Sequence, residues 1–281
     1  MLEYGKNPFK NYWNILKLFF KEHSENKSQI FKLSVADLKK TYNGSALGWA
    51  WAVIKPVFTV FVYWFAIAIG LRGGKSTHDC PFILWLMCGI IAWFYMTEVI
   101  VGGSNCIRRY SYLITKMRYP IMTIPTFTSL ACLYVHLVLI AVTAIIFLLS
   151  GQGLTIYMLQ LPVYTILMFM FFNAWSLFAG LVSAMAKDFS NLVKSVNIGI
   201  FWLSAVLWDV QNVLDKPVLG TFMKLNPVTF IVYGYRDCFI GGTWFWEYKY
   251  RLPAFIFELL IMTFLSFWAY KKLRKDIPDV L

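Results

Sequence analysis

Six long apolar segments, separated by short polar stretches, are the feature that most restricts how this chain can fold. A bilayer core about 30 Å thick is crossed by roughly 20 apolar residues in a helix, because each backbone polar group must be hydrogen-bonded within the segment. With 59% hydrophobic and only 14% charged residues, the chain lacks the charge that coats a soluble domain. The sequence therefore predicts an all-α polytopic membrane protein with six transmembrane helices at residues 49–70, 82–101, 121–149, 156–185, 196–210 and 252–270.

Lysine and arginine are distributed unequally between the two ends of these spans. Eighteen lie in the N-terminal segment, after the second and fourth spans, and in the C-terminal tail, whereas seven lie on the other side. The positive-inside rule then predicts a multi-pass protein of the plasma membrane with both termini cytoplasmic. The same rule accounts for the net charge of +12, and since no nucleic-acid-binding motif is present, nucleic acid is not an expected partner.

The fifth predicted span is short and is followed by a second apolar stretch, residues 219–240. This stretch is broken at Asn226-Pro227 into pieces of about ten residues, a length typical of re-entrant segments. We expect an external re-entrant helical hairpin, since a buried hairpin satisfies its backbone polar groups. An ordinary external loop with an apolar patch is the alternative.

The N-terminal segment has the periodicity of an amphipathic helix that lies in the membrane interface. Its apolar side is formed by Phe9, Tyr12, Trp13, Leu16 and Phe20, and its polar side by Lys10, Asn14, Lys17 and Lys21. A helix that packs on a soluble partner is the alternative. A second helical stretch covers residues 28–42. We divide the chain into a cytoplasmic N-terminal segment (1–47), a transmembrane domain (48–275) and a cytoplasmic tail (276–281).

Sequence motifs for catalysis, cofactors and metals are missing from this chain. It has no GxxxxGK[ST] phosphate loop, no HExxH and no CxxC spacing among its five cysteines. We expect no catalytic, cofactor-binding or metal-binding residue, and we interpret His136 as a hydrogen-bonded interior residue. Two other classes stay open: a membrane-embedded glycosyl- or acyl-transferase, which needs a polar catalytic group near a membrane face, and an ion or solute channel, which needs a polar lining.

Charged residues within and between the spans give two further predictions. Lys55 and Glu98 lie near the cytoplasmic ends of their spans, so they are expected to pair with each other or to snorkel to the headgroups. Residues 104–119 are predicted to form one short amphipathic helix. Its basic side is suited either to a soluble partner or to anionic lipid headgroups.

Four motifs occur in order along the chain: Ser45, Leu47, Gly48, Trp51 and Pro56; Tyr119, Pro120 and Pro125; Lys187, Asp188 and Asn191; and Asn226, Pro227, Tyr235, Arg236 and Asp237. In this order they resemble the permease subunits of type-two ABC exporters, in the polysaccharide and teichoic acid export family. Lys55 departs from the Gln or Asn that is more usual before the proline. The segments VYWFAIAIGLR and HDCPFILWLMCGIIAWFY are most similar to wall teichoic acid exporters, but O-antigen and capsule exporters share the same skeleton.

The resemblance implies that two copies of this chain form a channel for a lipid-linked cell-surface polysaccharide, either wall teichoic acid or, alternatively, an O-antigen or capsule. Two copies of a separate ABC ATPase subunit would hold ATP and Mg. The N-terminal amphipathic helix resembles the family's gate helix and would contact membrane lipids. The interface helix (28–42) and the loop 104–119 would transmit closure of the ATPase. The residues expected to dock on the ATPase are Arg108, Arg109, Lys116, Arg118, Lys187 and Asp188.

Aromatic residues are candidates for a channel lining, because the C–H faces of sugar rings stack on aromatic rings. In the first two spans these candidates are Trp49, Trp51, Tyr63, Trp64, Trp93 and Tyr95. The alternative is the ordinary enrichment of Trp and Tyr at both membrane interfaces.

Overall fold

The computed structural model describes residues 8–43, 46–71 and 80–281, and side chains are described from Tyr12 onwards, except those of Leu71 and Asn212. The part of the chain that it describes is helical, which confirms the all-α prediction. Ser45 of the first sequence motif and the side chain of Phe9 lie outside the described residues. The α-helices are α1 (Pro8–Glu25), α2 (Lys27–Tyr42), α3 (Trp51–Trp64), α4 (Phe82–Ser104), α5 (Cys106–Arg109), α6 (Ser111–Thr115), α7 (Thr123–Leu149), α8 (Leu161–Met185), α9 (Lys187–Leu203), α10 (Gln211–Leu214), α11 (Pro217–Leu225), α12 (Pro227–Ile240), α13 (Arg251–Leu273) and α14 (Ile277–Val280).

Five helical segments of the described residues are long and apolar enough to cross a membrane. They are Gly48–Gly70, Phe82–Ser104, Thr123–Leu149, Ile156–Met185 and Arg251–Leu273. Five of the six predicted spans are therefore confirmed as helices of suitable length with nearly the same bounds. The first of them contains α3, which is preceded by a 3-10 turn at Gly48–Ala50 and continued by a π-helical segment at Phe65–Leu71.

The predicted span at residues 196–210 has the wrong bounds. Helix α9 begins at Lys187, within the polar stretch that was expected to be a loop, and ends at Leu203. The chain then turns, with Ala205 at a left-handed φ of 53°. Lys187, Asp188, Asn191 and Lys194 in the first turns of α9 are exposed, so a hydropathy pattern alone assigns them to a loop.

The predicted break at Asn226-Pro227 is confirmed as the junction between α11 and α12. Pro227 occupies the first helical position, where its missing N–H costs nothing. The Asn226 side chain caps α12, since Oδ1 accepts from the backbone N of Val228 at 2.9 Å and of Thr229 at 3.3 Å. Most of α12 is buried, whereas α11 exposes Val218, Leu219, Phe222 and Leu225. That the pair re-enters a membrane stays a prediction.

The second span, α4, is the centre of the bundle. It is buried along most of its length and packs on α3, α7, α8, α9 and α12. The first span differs sharply, because its most apolar window is only 17% buried. Its exposed side chains include Phe58, Phe61 and Phe65, so α3 presents an apolar face to lipid or to another subunit.

The prediction of one amphipathic helix at residues 104–119 is wrong. Helix α4 continues to Ser104, and two short helices follow it, α5 and α6. They are separated at Tyr110, and the segment ends with Arg118 in the left-handed region at φ 51°. Met117 and Arg118 are exposed there.

Candidate functional site

Asp37 of α2 contacts the two short helices that follow α4. Its carboxylate accepts hydrogen bonds from the Tyr110 hydroxyl and, at 3.4 Å, from Nη2 of Arg109. Asp37 is only 8% exposed, and a buried carboxylate is tolerated when it is paired and hydrogen-bonded in this way. Burial and the hydrogen bond to Asp37 raise the pKa of the Tyr110 phenol, which therefore stays a donor. The contact joins the interface helix to the loop predicted to receive the ATPase.

Arg108 is engaged by the end of α8. Its Nε donates to the Ser183 carbonyl oxygen at 2.6 Å, and Nη2 donates to the Ala184 carbonyl oxygen at 2.8 Å. The last carbonyls of a helix have no partner within the helix and carry partial negative charge, so an arginine there is favourable. Of the six docking candidates, Arg108 and Arg109 are thus engaged within the protomer. Arg109 still has 40% of its side chain exposed, and Lys116, Arg118, Lys187 and Asp188 are exposed as well.

The N-terminal helix α1 packs on the protein along one side. Ile15 is fully buried, the Tyr12 ring lies 4.7 Å from that of Phe264 in α13, and Leu16 is partly buried. Trp13 and Phe20 are instead 57% and 63% exposed. The predicted apolar stripe is therefore divided between a face that contacts α13 and an exposed aromatic edge. Phe9 belongs to the same helix.

The C-terminal half of α1 carries a polar contact to α7 and α8. His23 Nδ1 donates to the Phe19 carbonyl oxygen at 2.7 Å, and Nε2 lies 2.9 Å from the Thr126 hydroxyl, which Asn173 also contacts. Burial lowers the pKa of His23, so its ring is held neutral and Nε2 accepts from Thr126. Burial raises the pKa of the neighbouring Glu22 to about 7, against the opposing effect of Arg274.

The end of α9 is held by Arg236 of α12. The guanidinium donates to the carbonyl oxygens of Ala205 at 3.1 Å and Val206 at 2.7 Å, and its carbon lies 3.5 Å from the centre of the Trp85 ring. Arg236 is 3% exposed, so these contacts replace its hydration. Arg236 of the Tyr-Arg-Asp motif thus has a structural role, and we call its contacts with Trp85, Ala205 and Val206 the hairpin lock.

Two further contacts tighten the same junction. Asn226 Nδ2 donates to Ser204 Oγ at 3.0 Å, and the Tyr233 hydroxyl donates to Asp209 Oδ1 at 2.8 Å. Sequence reasoning found Asn226 and Arg236 but missed Trp85, Asp209 and Tyr233. A charged residue inside an apolar stretch was the available signal, since it requires a partner.

Two glycines give the helices room to approach at this place. A Cβ at Gly89 would lie 2.9 Å from Arg236 Nη2, and a Cβ at Gly234 would lie 2.1 Å from Tyr164 Cε1. Real Cβ atoms do not come so close, so both positions require glycine unless a neighbour moves.

The candidate channel aromatics separate into two groups. Trp49 and Trp51 are 50% and 44% exposed, and Tyr63 and Trp64 are half-buried. Trp93 and Tyr95 lie inside the protomer at 6% and 2% exposure. A channel-lining role is therefore retained as a hypothesis for the residues of the first span, whereas Trp93 and Tyr95 belong to the core in this conformation.

A cavity of about 420 Å³ lies between α2, α3, α4 and α7. Its lining includes the predicted Lys55–Glu98 pair, which forms at 3.5 Å, and the Arg109–Asp37 pair. His136, also in the lining, contacts the Tyr235 hydroxyl through Nε2 at 2.7 Å and is 1% exposed, which confirms its interior location.

The model of the ABC-2 type transporter family matches residues 28–240, which is most of the chain. The chain belongs to the ABC-2 type transporter family. Residues 28–240 of this ABC-2 chain include α2, the Asp37 contacts, the cavity and the hairpin lock, but neither α1 nor α13. Within its described residues, no group of three or more His, Cys, Asp or Glu is placed to hold a metal ion.

The ABC-2 chain is similar to proteins named O-antigen export system permease protein RfbA. The one from Myxococcus xanthus is 22% identical over 224 residues, which are 80% of this chain and 82% of the relative. Two from Klebsiella pneumoniae are 22% identical over 251 residues and 19% identical over 249 residues. Each of these two alignments covers 87% of this chain and 92% of the relative.

Proposed function

We propose that this chain is the channel-forming permease subunit of an ATP-driven exporter, and that it moves a lipid-linked cell-surface polysaccharide across the plasma membrane. The observation that carries the proposal is the similarity to O-antigen export permeases over 87% of this chain and 92% of the relative. That similarity favours an O-antigen type of polymer over wall teichoic acid, the first expectation from the sequence.

The exporter would contain two copies of this chain and two copies of a separate ATPase subunit. The sequence has no phosphate loop, so ATP and Mg belong to the partner. The exposed apolar face of α3 is where a second copy would pack in this arrangement, and any part of it left uncovered would contact lipid. In that arrangement Trp49 and Trp51 are candidates for the wall of the channel.

Coupling to the ATPase would pass through the Asp37 contacts. Exposed Lys116, Arg118, Lys187 and Asp188 provide the docking surface, and Asp37 with Arg109 and Tyr110 links this region to α2. Since Arg108 caps α8, a push on α5 moves the end of a long helix as well. Rigid contacts of this type can transmit a displacement without a flexible intermediate.

The exposed edge of α1 supports its role as a gate helix at the cytoplasmic membrane surface. Trp13 and Phe20 would insert between lipid headgroups, and Lys17, whose Nζ lies 5.5 Å from the centre of the Trp13 ring, would contact lipid phosphates. A polymer attached to a lipid in the same leaflet would meet this helix first.

Deletion of the gene tests the proposal. Cells without the chain should lose the polysaccharide from their surface and accumulate its lipid-linked form inside. Loss of both forms would indicate a transferase instead, and an unchanged surface would overturn the proposal. Chemical analysis of the retained polymer distinguishes a teichoic acid exporter from an O-antigen exporter. Alditol phosphate repeats would indicate a teichoic acid, and repeats of sugars alone would indicate an O-antigen.

A further inference from the structure

The cavity between α2, α3, α4 and α7 extends along the protomer for a considerable length. On α7 its lining runs from Thr128 to Leu139, a helical rise of about 16 Å. We call this cavity the α2–α7 cleft. Its volume of about 420 Å³ is within the range of ordinary ligand sites, roughly 300–1,000 Å³.

Charges of both signs line the α2–α7 cleft. Lys55 Nζ lies 3.5 Å from Glu98 Oε1, and Arg109 Nη2 lies 3.4 Å from Asp37 Oδ2. Both distances exceed the roughly 2.7–2.9 Å of a strong charge-assisted hydrogen bond. An ammonium has three N–H donors and a guanidinium five, so both cations retain donor capacity toward the cleft. Of these four side chains, Lys55 and Glu98 are the most exposed, at 68% and 60%.

Two uncharged hydroxyls in the lining are buried and have no hydrogen-bond partner among the described residues. They are Tyr95 Oη and Ser129 Oγ, in residues that are 2% and 1% exposed. Buried hydroxyls in folded proteins are nearly always hydrogen-bonded. Both residues line the cleft, so a ligand hydroxyl there is a candidate partner for these unpaired groups.

The mixture of groups selects one class of ligand. Asp37 and Glu98 would repel an anion, and Lys55 and Arg109 would repel a cation. A lipid tail would remove water from all four charges and form no hydrogen bond with them. A sugar ring has hydroxyls that both donate and accept, and apolar C–H faces that pack on aromatic rings. The cleft offers such a ring at Trp51, which is 44% exposed.

We propose that the α2–α7 cleft binds one or two sugar rings of the transported polymer within a single protomer. The identity of the polymer rests on the proposed function, whereas the location of the site rests on the cleft itself. Because Asp37 and Arg109 also join α2 to the loop after α4, an occupied cleft would bias the same contacts that couple to the ATPase.

Protection of an engineered cysteine tests this proposal in the purified exporter complex. Thr41 lines the cleft and is exposed, so T41C in a C132A background should react with a maleimide. The probes are the free saccharide released from the cell's own lipid-linked polymer and, separately, undecaprenyl phosphate alone. We expect the saccharide to slow labelling at least about fivefold and the lipid phosphate to leave it unchanged.

Two variants then locate the binding. E98Q should raise the half-protecting saccharide concentration about tenfold, because a hydrogen bond to a charged carboxylate is replaced by a weaker one to a neutral amide. S129A should raise the half-protecting concentration by a smaller factor. The matched controls E25Q and S195A change exposed residues away from the cleft and should leave this concentration unchanged.

Absence of protection, or protection by undecaprenyl phosphate alone, would overturn the proposal. Equal effects of E98Q and E25Q would overturn it as well. If the cleft does not bind saccharide but deletion of the gene still removes polymer from the surface, the proposed function stands and only this inference fails. If deletion leaves the surface polymer unchanged, the proposed function fails.

Discussion

The guanidinium of Arg236 lies on the face of Trp85, with 3.5 Å between its carbon and the ring centre, and it fastens α12 to the turn after α9. We predict that R236K destabilises the protein by about 2–4 kcal/mol, because a lysine lacks the planar fork that reaches both carbonyls from fixed positions and stacks on the ring. The loss should appear as a lower melting temperature of the detergent-solubilised chain. R251K, at a partly exposed arginine over Tyr248, should have little effect; an equal loss in both variants would contradict the role assigned to the hairpin lock.

Gly234 should not tolerate a side chain. A Cβ there would lie 2.1–2.4 Å from atoms of the Tyr164 ring, so G234A should cost about 1–3 kcal/mol through overpacking. Gly199 in α9 provides the matched control, since a Cβ there meets nothing within 4 Å. G199A should leave stability unchanged or raise it by up to about 1 kcal/mol. Thermal unfolding measures both, and a second change, Y164L, should restore part of the stability lost in G234A.

Asp37 should be required for coupling and not for assembly. D37N removes the charge that holds Arg109 but keeps an acceptor for Tyr110, so α2 and α5 should still fold. We expect polymer export to fall at least about tenfold while the ATPase still co-purifies. Loss of export without loss of assembly would show that the variant is defective in coupling. The control D215N changes an exposed aspartate outside this cluster. Normal export by D37N would mean that the contact with Arg109 carries no coupling.

Glu22 should make the docking of α1 dependent on pH. Burial raises its pKa from 4.5 to about 7, so the folded protein binds this proton more tightly than the unfolded chain. The stabilisation that protonated Glu22 adds to the free energy of unfolding is therefore complete below about pH 4.5, and it is lost as the pH rises through 7. His23 has a lowered pKa and acts in the opposite direction below pH 6.5, so measurements between pH 6.5 and 8.5 separate the two groups.

The measurement compares the melting temperatures of the wild-type protein and E22Q across that interval. The advantage of E22Q should grow with pH, since glutamine has no proton to lose. E25Q, whose carboxylate is exposed, should show no such trend. A constant difference between E22Q and the wild type would show that Glu22 does not titrate in this interval.

The exposed edge of α1 should matter for export and not for stability. W13A and F20A remove side chains that are 57% and 63% exposed, so the melting temperature should change little while export falls. I15A removes a fully buried side chain and should instead cost about 2–5 kcal/mol. An assay of surface polysaccharide, with ATPase co-purification alongside, distinguishes the two effects. Full export by the double variant W13A/F20A would overturn the gate role of this edge.

The sequence by itself determined those features that depend only on residues close together in the chain. Apolar length set five helices that are long enough to cross a membrane, and the apolar periodicity from Phe9 to Phe20 set α1. Pro227 set the start of α12, because each of these features is a local consequence of side-chain type and backbone geometry. The family motifs also located Asn226 and Arg236 correctly, although they did not reveal what these residues contact.

Tertiary structure alone decided the partners of those residues. Arg108 caps a helix 75 residues further along the chain, and Arg109 pairs with Asp37 72 residues before it, so both have partners within the protomer that no local pattern records. Trp93 and Tyr95 are buried because α4 is surrounded by other helices, which no pattern within α4 records. The α2–α7 cleft exists only where four helices separated in sequence meet, and its mixed charges were visible in the sequence only as scattered residues.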